Sequence, residues 1–315
     1  MCKLRRLIDH AMIATAHFEP RGLSLAAGRS LLAIAELSLI LLTPDSALFP
    51  DVPGPSTAMR CDGVQAVSLW CITGSGEGAL AWSRLAALGV LCLAASGFMP
   101  KWTCIPHWYV AFSINASIVP TNGGDAVAQV ATMLLIPICL GDDRIWHWQP
   151  PKHSLSPGWQ GSAFAAQLVI CLQVFVIYAV AVVSKLSDPA WLGGHALYIV
   201  ASDPLFAPPP PIRQLLEPAM TSFWAVAAMT WAVIVVQAAI AVSIFSNRRA
   251  RLCGLILGSA LHVMIIIVLG LPSFGLVMIA LLLIVYRGLG PPGPTTEHAS
   301  IVRGGRAVRV GDRLY

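Results

Sequence analysis

QGSAFAAQLVICLQVFVIYAVAVVSKL, residues 160–186, decides the fold: 27 consecutive residues carry a single charge, Lys185, one place from the end. A helix rising about 1.5 Å per residue needs about 20 mostly apolar residues to cross a hydrocarbon core of about 30 Å. A surface helix of a water-soluble domain would show one polar face, and this stretch shows none long enough to serve. Its apolar residues run continuously and do not alternate. That excludes a barrel strand and leaves the helix, which satisfies its own backbone hydrogen bonds inside lipid.

Working outward, the same ruler marks 22–43, 78–98, 105–120, 125–141, 220–246, 252–270 and 273–286. The expected fold is all-α: a polytopic transmembrane helical bundle of about eight spans. Stretches 105–120, 125–141 and 273–286 are short for a complete crossing. The first stretch is no signal peptide, because it holds Arg29 and Glu36 and lacks a small-x-small cleavage site. Composition agrees with the bundle. Charged residues make up 11% of the 315, hydrophobic residues 57%, and mean hydropathy is +0.73. An ordinary soluble domain carries about 25% charged residues. Soluble enzymes and disordered chains are excluded, and so is nucleic-acid binding, since the +5 net charge is dispersed among apolar segments.

Lys and Arg concentrate in the cytoplasmic loops of membrane proteins. With the N-terminus inside, 15 of the 20 lysines and arginines fall on inner stretches and 3 (Arg60, Lys185, Arg213) on outer ones. Arg29 and Arg84 lie within spans. The bias predicts an even number of spans with both termini cytoplasmic, in the plasma membrane. The chain then divides into a cytoplasmic segment (1–21), a transmembrane domain (22–286) and a basic, disordered cytoplasmic tail (287–315) drawn to the anionic inner leaflet. Three loops are long: outer 44–77, inner 142–159 with Trp146, Trp148 and Trp159 as interfacial anchors, and outer 187–219 with the rigid run PPPP at 208–211. No inverted repeat of the transporter kind is legible.

An ionised side chain at mid-membrane costs roughly 2.5–3.5 kcal/mol on insertion scales, so each needs a reason. Arg29 and Glu36 lie two helical turns apart and face the same way. With His107 and Asn115 they define an intramembrane polar network, read either as packing glue or as a functional site. Lys185 is either a lysine snorkelling to the outer interface or a partly buried amine able to act as a base. Asp125 follows the turn TNGG; it either caps the helix, where a carboxylate suits the positive end of the dipole, or joins Lys185 in chemistry at the outer face. His262, Gln167 and Gln173 read as packing or interhelical hydrogen-bonding residues. Cys92, Cys139, Cys171 and Cys253 read as buried fillers. Cys61 and Cys71 share an oxidising outer loop, as a bridge or as two thiols. Motifs for nucleotide, nicotinamide, zinc-protease and serine-hydrolase chemistry are absent, no metal site is expected, and no cofactor is named by any motif.

GRSLLAIAELSLILLTPD (28–45), PHWYVAFSINASI (106–118), TNGGD (121–125), LGDDRIWHW (140–148) and IYAVAVVSKLSDPAWLGGHALYIV (177–200) together resemble the HTTM domain shared with vitamin K-dependent gamma-carboxylase. Within that group the sequence is most similar to the bacterial sporulation-delaying protein B family. The likeness runs over about residues 20–286. In the carboxylase, a lysine in the corresponding KL…W…G motif deprotonates vitamin K hydroquinone, and Lys185 occupies that position. The carboxylase also uses a histidine near the place of NGGD, and this chain has no histidine from 108 to 146. Its large lumenal domain has no counterpart after the eighth stretch, so vitamin K-dependent carboxylation is not expected. The family role implied instead is maturation or export of a secreted antimicrobial peptide. It implies three partners: the lipid bilayer, a small membrane-linked partner protein and a secreted peptide precursor. On that resemblance Lys185 and Asp125 would share an outward-facing cavity among spans one, three, four and five. The rival readings are a non-catalytic scaffold or translocation partner docking through the outer loops and, last, a small-molecule transporter.

Overall fold

The structure is a computed structural model that describes residues 18–49, 61–74, 76–118, 122–204 and 206–288. Most of the N-terminal segment, Arg60, and the basic tail from 289 lie outside these. Each of the eight apolar stretches is a long helix: α1 Leu23–Leu42, α2 Glu77–Ser96, α3 Pro100–Ser117, α4 Gly123–Leu140, α5 Pro157–Leu186, α6 Phe223–Ile244, α7 Arg248–Leu269 and α8 Pro272–Gly288. Six of them, α1, α2, α4, α5, α6 and α7, are long and apolar enough to cross a membrane. Lys101, Thr103, His107, Ser113 and Asn115 dilute the apolar character of α3, and α8 has only 17 residues.

Local chemistry explains the ends. Pro100, preset for a first helical turn, starts α3 five residues before the apolar run begins. Asn247 caps α7, its side chain accepting from the Ala250 amide, and Gly270 in the left-handed region ends it. Arg84 on α2 reaches across to the outer end of α1, where it donates to the carbonyl oxygens of Ile40 and Thr43 and pairs with Asp45. A cation on the last carbonyls of a helix answers both their lone pairs and the dipole. In the loop between α1 and α2, Cys61 and Cys71 are joined by a disulfide with Cα atoms 5.6 Å apart, next to the buried ring of Trp70.

The bundle is apolar outside as well as in its core, and its polar side chains turn inward. Leu172, Val176, Val180 and Val183 on α5, Val235 and Val242 on α6, and Ile256 and Met264 on α7 are exposed, whereas Arg29, Glu36, His107, Thr132, Gln167 and His262 are buried. Cys139 and Cys171 are buried as expected, but Cys92 and Cys253 face outward. An apolar cysteine needs no interior when the surroundings are lipid.

The most intimate helix pair is α1 with α8. A Cβ built on Gly28 would stand 2.5 Å from Ile284 Cγ1 and 2.8 Å from the Ala280 carbonyl oxygen. Small residues admit such backbone approach in membranes, where packing replaces the hydrophobic drive. Gly28→Leu is therefore expected to lower stability by about 1–3 kcal/mol. Gly89→Leu, at a site with open space around it, leaves stability unchanged; thermal unfolding of both variants in one detergent compares them.

Candidate functional site

The buried polar groups form separate nodes stacked along the bundle from the Gly97 end to the Asp125 end. At the first of these ends, α2 stops at Gly97, whose φ of 83° is a left-handed conformation suited to glycine. The loop after α4 returns here as a short antiparallel bridge, with Met99 N donating to Ile145 O at 2.8 Å and His147 N to Gly97 O at 3.0 Å. The His147 ring lies flat against Gly97, where any Cβ would sit 2.2 Å from a ring carbon. The loop thus plugs an imidazole into the bundle beside α1.

That imidazole has a determined tautomer. Arg29 Nη1 lies 3.3 Å from His147 Nδ1, and a guanidinium is donor only, so Nδ1 accepts. Nε2 then carries the proton and donates to Ser30 Oγ at 3.2 Å, and Ser30 donates to Ala95 O at 2.6 Å. Arg29 Nη2 also donates to Thr103 Oγ1 at 2.5 Å. Burial, with the Arg29 and Arg144 guanidinium groups alongside, pushes the His147 imidazole down to about 3 from an ordinary 6.5. Arg144 knots the loop itself: it grips Asp142 through two nitrogens and donates to the carbonyls of Arg21, His147 and Gln149.

One turn along α3 from Thr103, His107 Nε2 lies 3.4 Å from Glu36 Oε2, both residues almost wholly buried. Neither carboxylate oxygen of Glu36 nor His107 Nε2 has a hydrogen-bond partner among the described residues. Further out, Asn115 Nδ2 donates to Gln129 Oε1 at 2.6 Å. At the outer end of α4, Asn122 and Asp125 form a capping box: Asn122 Oδ1 accepts from Gly124 N at 2.7 Å, and Asp125 Oδ2 accepts from Asn122 N at 2.9 Å. Asn122 also donates to Ser273 at the start of α8. Arg29, Glu36, His107 and Asn115 therefore belong to three neighbouring nodes, and no hydrogen bond or ion pair among the described residues makes them one continuous network.

Lys185 stands apart. Its Nζ is 3.5 Å from Ala181 O and 4.8 Å from the centre of the Trp191 ring. Gly141 packs on Trp159, which puts the inner ends of α4 and α5 level. At 1.5 Å per residue, Asp125 is roughly 24 Å from that level and Lys185 roughly 39 Å. Helical rise thus carries Lys185 roughly 15 Å further along than Asp125, because α5, at 30 residues, runs past the end of α4.

Sequence reading missed His147, hidden between two tryptophans taken as interfacial anchors, and its contact with Arg29 spans 118 residues. It also missed the bond of Tyr178 to His262, Oη to Nε2 at 2.8 Å. Neither pair has a recognisable spacing. The signal available was only that each polar residue in an apolar stretch must find a partner elsewhere.

The HTTM domain family matches residues 155–288, from the inner loop through α8. Sporulation-delaying protein SdpB of Bacillus subtilis is 31% identical over 257 residues, which is 81% of this chain and 78% of that protein. The chain belongs to the SdpB family. A second relative in the same organism, the protein YitO, is 31% identical over 258 residues, covering 81% of this chain and 82% of its own length. No solved structure matches. With its membrane-competent helices, this SdpB-family chain is a multi-pass membrane protein. The HTTM match contains Lys185 and the Tyr178–His262 pair, while the Arg29 and Glu36 nodes on α1 lie ahead of it.

His147 makes stability pH-dependent. Above about 6.5 the ring is neutral folded and unfolded, and it adds no slope. Between about 6.5 and about 3 the unfolded chain binds a proton that the folded one refuses, so stability falls as pH falls. Thermal unfolding at stepped pH is expected to show this decline, and His147→Gln to flatten it while lowering stability throughout.

Proposed function

We propose that this protein acts in maturation or export of a secreted antimicrobial peptide at the outer face of the plasma membrane. It crosses eight times with both termini cytoplasmic. The observation that carries this reading is the likeness to sporulation-delaying protein SdpB over four-fifths of the chain. The polar distribution supports the orientation. The loop that carries Arg144 and Lys152 gathers at one end of the bundle, and the disulfide-bonded loop at the other.

In this reading Lys185, half-buried against Trp191 and raised on the outer end of α5, meets the peptide precursor as a base. A small membrane-linked partner protein docks on the outer loops. No cofactor is assigned. A second reading, a non-catalytic scaffold, is favoured by one observation: the lysine's polar and aromatic contacts are a carbonyl oxygen and an indole, with no carboxylate among the described residues bonded to it.

The two readings separate on Lys185→Arg, since a guanidinium stays protonated and cannot serve as a base. The measurement is mature peptide in the medium of the producing host at equal membrane levels of each variant. A base is expected to lose production with both Lys185→Met and Lys185→Arg. A scaffold is expected to keep production with Lys185→Arg and lose it on deletion of 61–74. Production unaffected by all three overturns both.

A further inference from the structure

The outer loop 187–219 folds into three short helices, Pro189–Leu192, Ala196–Ser202 and Pro210–Met220. The last two enclose a compartment with two adjoining parts. The first, of about 420 Å³, is lined by polar groups that include Tyr198, Ser202, Arg213, Gln214 and Glu217. The second, of about 270 Å³, is an almost wholly apolar groove between α6 and α7, lined by residues such as Val200, Met229, Val233, Met264 and Val268. Ala201, Leu216 and Met220 line both parts, so the polar part and the apolar groove adjoin across these three side chains.

Depth fits a lipid. Phe223 and Trp224, both exposed, mark the start of α6 at the level where aromatic residues sit on the membrane interface. The polar part lies at that level. The groove descends along α6 to Val233, roughly 15 Å below Phe223 at helical rise, within one leaflet. Helix Pro210–Met220 roofs both parts as an interfacial amphipathic helix, with Leu216 and Met220 turned down toward the groove.

Charge fits one class of headgroup. Arg213 and Glu217 are one turn apart and line the same polar part, yet no ion pair among the described residues joins them to each other or to a third group. An unjoined cation and anion side by side complement a zwitterion carrying a phosphate and an ammonium. A single-signed headgroup would leave Glu217 facing a negative charge or leave Arg213 unanswered.

We propose that this compartment binds one outer-leaflet aminophospholipid of the phosphatidylethanolamine type. Its phosphate lies at Arg213, its ammonium at Glu217, and an acyl chain in the groove of Val233 and Met264. The site is independent of Lys185 and of any peptide chemistry.

The test uses the full chain purified in detergent, supplied in turn with phosphatidylethanolamine, phosphatidylglycerol and phosphatidylcholine of identical acyl chains, with retained lipid counted by native mass spectrometry. Phosphatidylethanolamine is expected to be retained at least 5-fold over phosphatidylglycerol, and above phosphatidylcholine, whose methylated ammonium cannot donate to Glu217. Arg213→Gln and Glu217→Gln, both exposed positions, are each expected to remove that preference. Val233→Trp is expected to lower retention of all three lipids without changing their order. Equal or greater retention of phosphatidylglycerol overturns the proposal, as does an unchanged ratio in both charge variants. Full retention by Val233→Trp overturns the groove as the tail site.

Discussion

A bundle surrounded by hydrocarbon cannot send its polar side chains outward, so every buried donor and acceptor has to be answered from within. That constraint orders the rest of the structure. It turns α1 so that Arg29 and Glu36 face the interior, sets Thr103 and His107 opposite them, and draws the loop after α4 into the bundle. An isolated charge in a low-dielectric interior is costly, and hydrogen bonding to it reduces the cost. Arg29 obtains its partners from a helix and from a loop more than a hundred residues away.

The two intramembrane charges on α1 end in different circumstances. Arg29 is tied to a hydroxyl and to an imidazole whose tautomer the guanidinium fixes. The role this supports is architectural: it anchors the 142–149 loop against Gly97. Glu36 has one ionisable partner among the described residues, His107, and its oxygens lack hydrogen bonds there. Buried polar groups left without partners in native proteins call for an explanation in function, ordered water or stored strain. The acid–imidazole pair is thus the chemically open node, and Arg29, Asn115 and Asp125 are closed ones.

Much of the architecture was legible because membrane insertion depends on local composition. Length and apolarity placed all eight helices, with α3 the least exact, since KWTC reads as loop until Pro100 is recognised as a helix start. The site was legible in its residues and not in its connections. Arg29, Glu36 and His107 stood out as polar groups in apolar stretches, but their partners are set by tertiary packing at separations of 71 to 118 residues. His147 stayed hidden because its neighbours Trp146 and Trp148 dominate the reading of that loop. Asp125 sat where its helix-start sequence placed it, while its separation from Lys185 depends on how α4 and α5 pack against each other, which neither apolar stretch shows.

The 30 residues of α5 span about 45 Å, against a hydrocarbon thickness of about 30 Å. Tilting alone would need an inclination near 48°, steeper than the range of roughly 0–40° that transmembrane helices adopt. Part of this rod must therefore stand clear of the acyl chains. Lys185, one residue from its tip and half-buried against Trp191, therefore sits far from the bilayer midplane, where a charge is costliest.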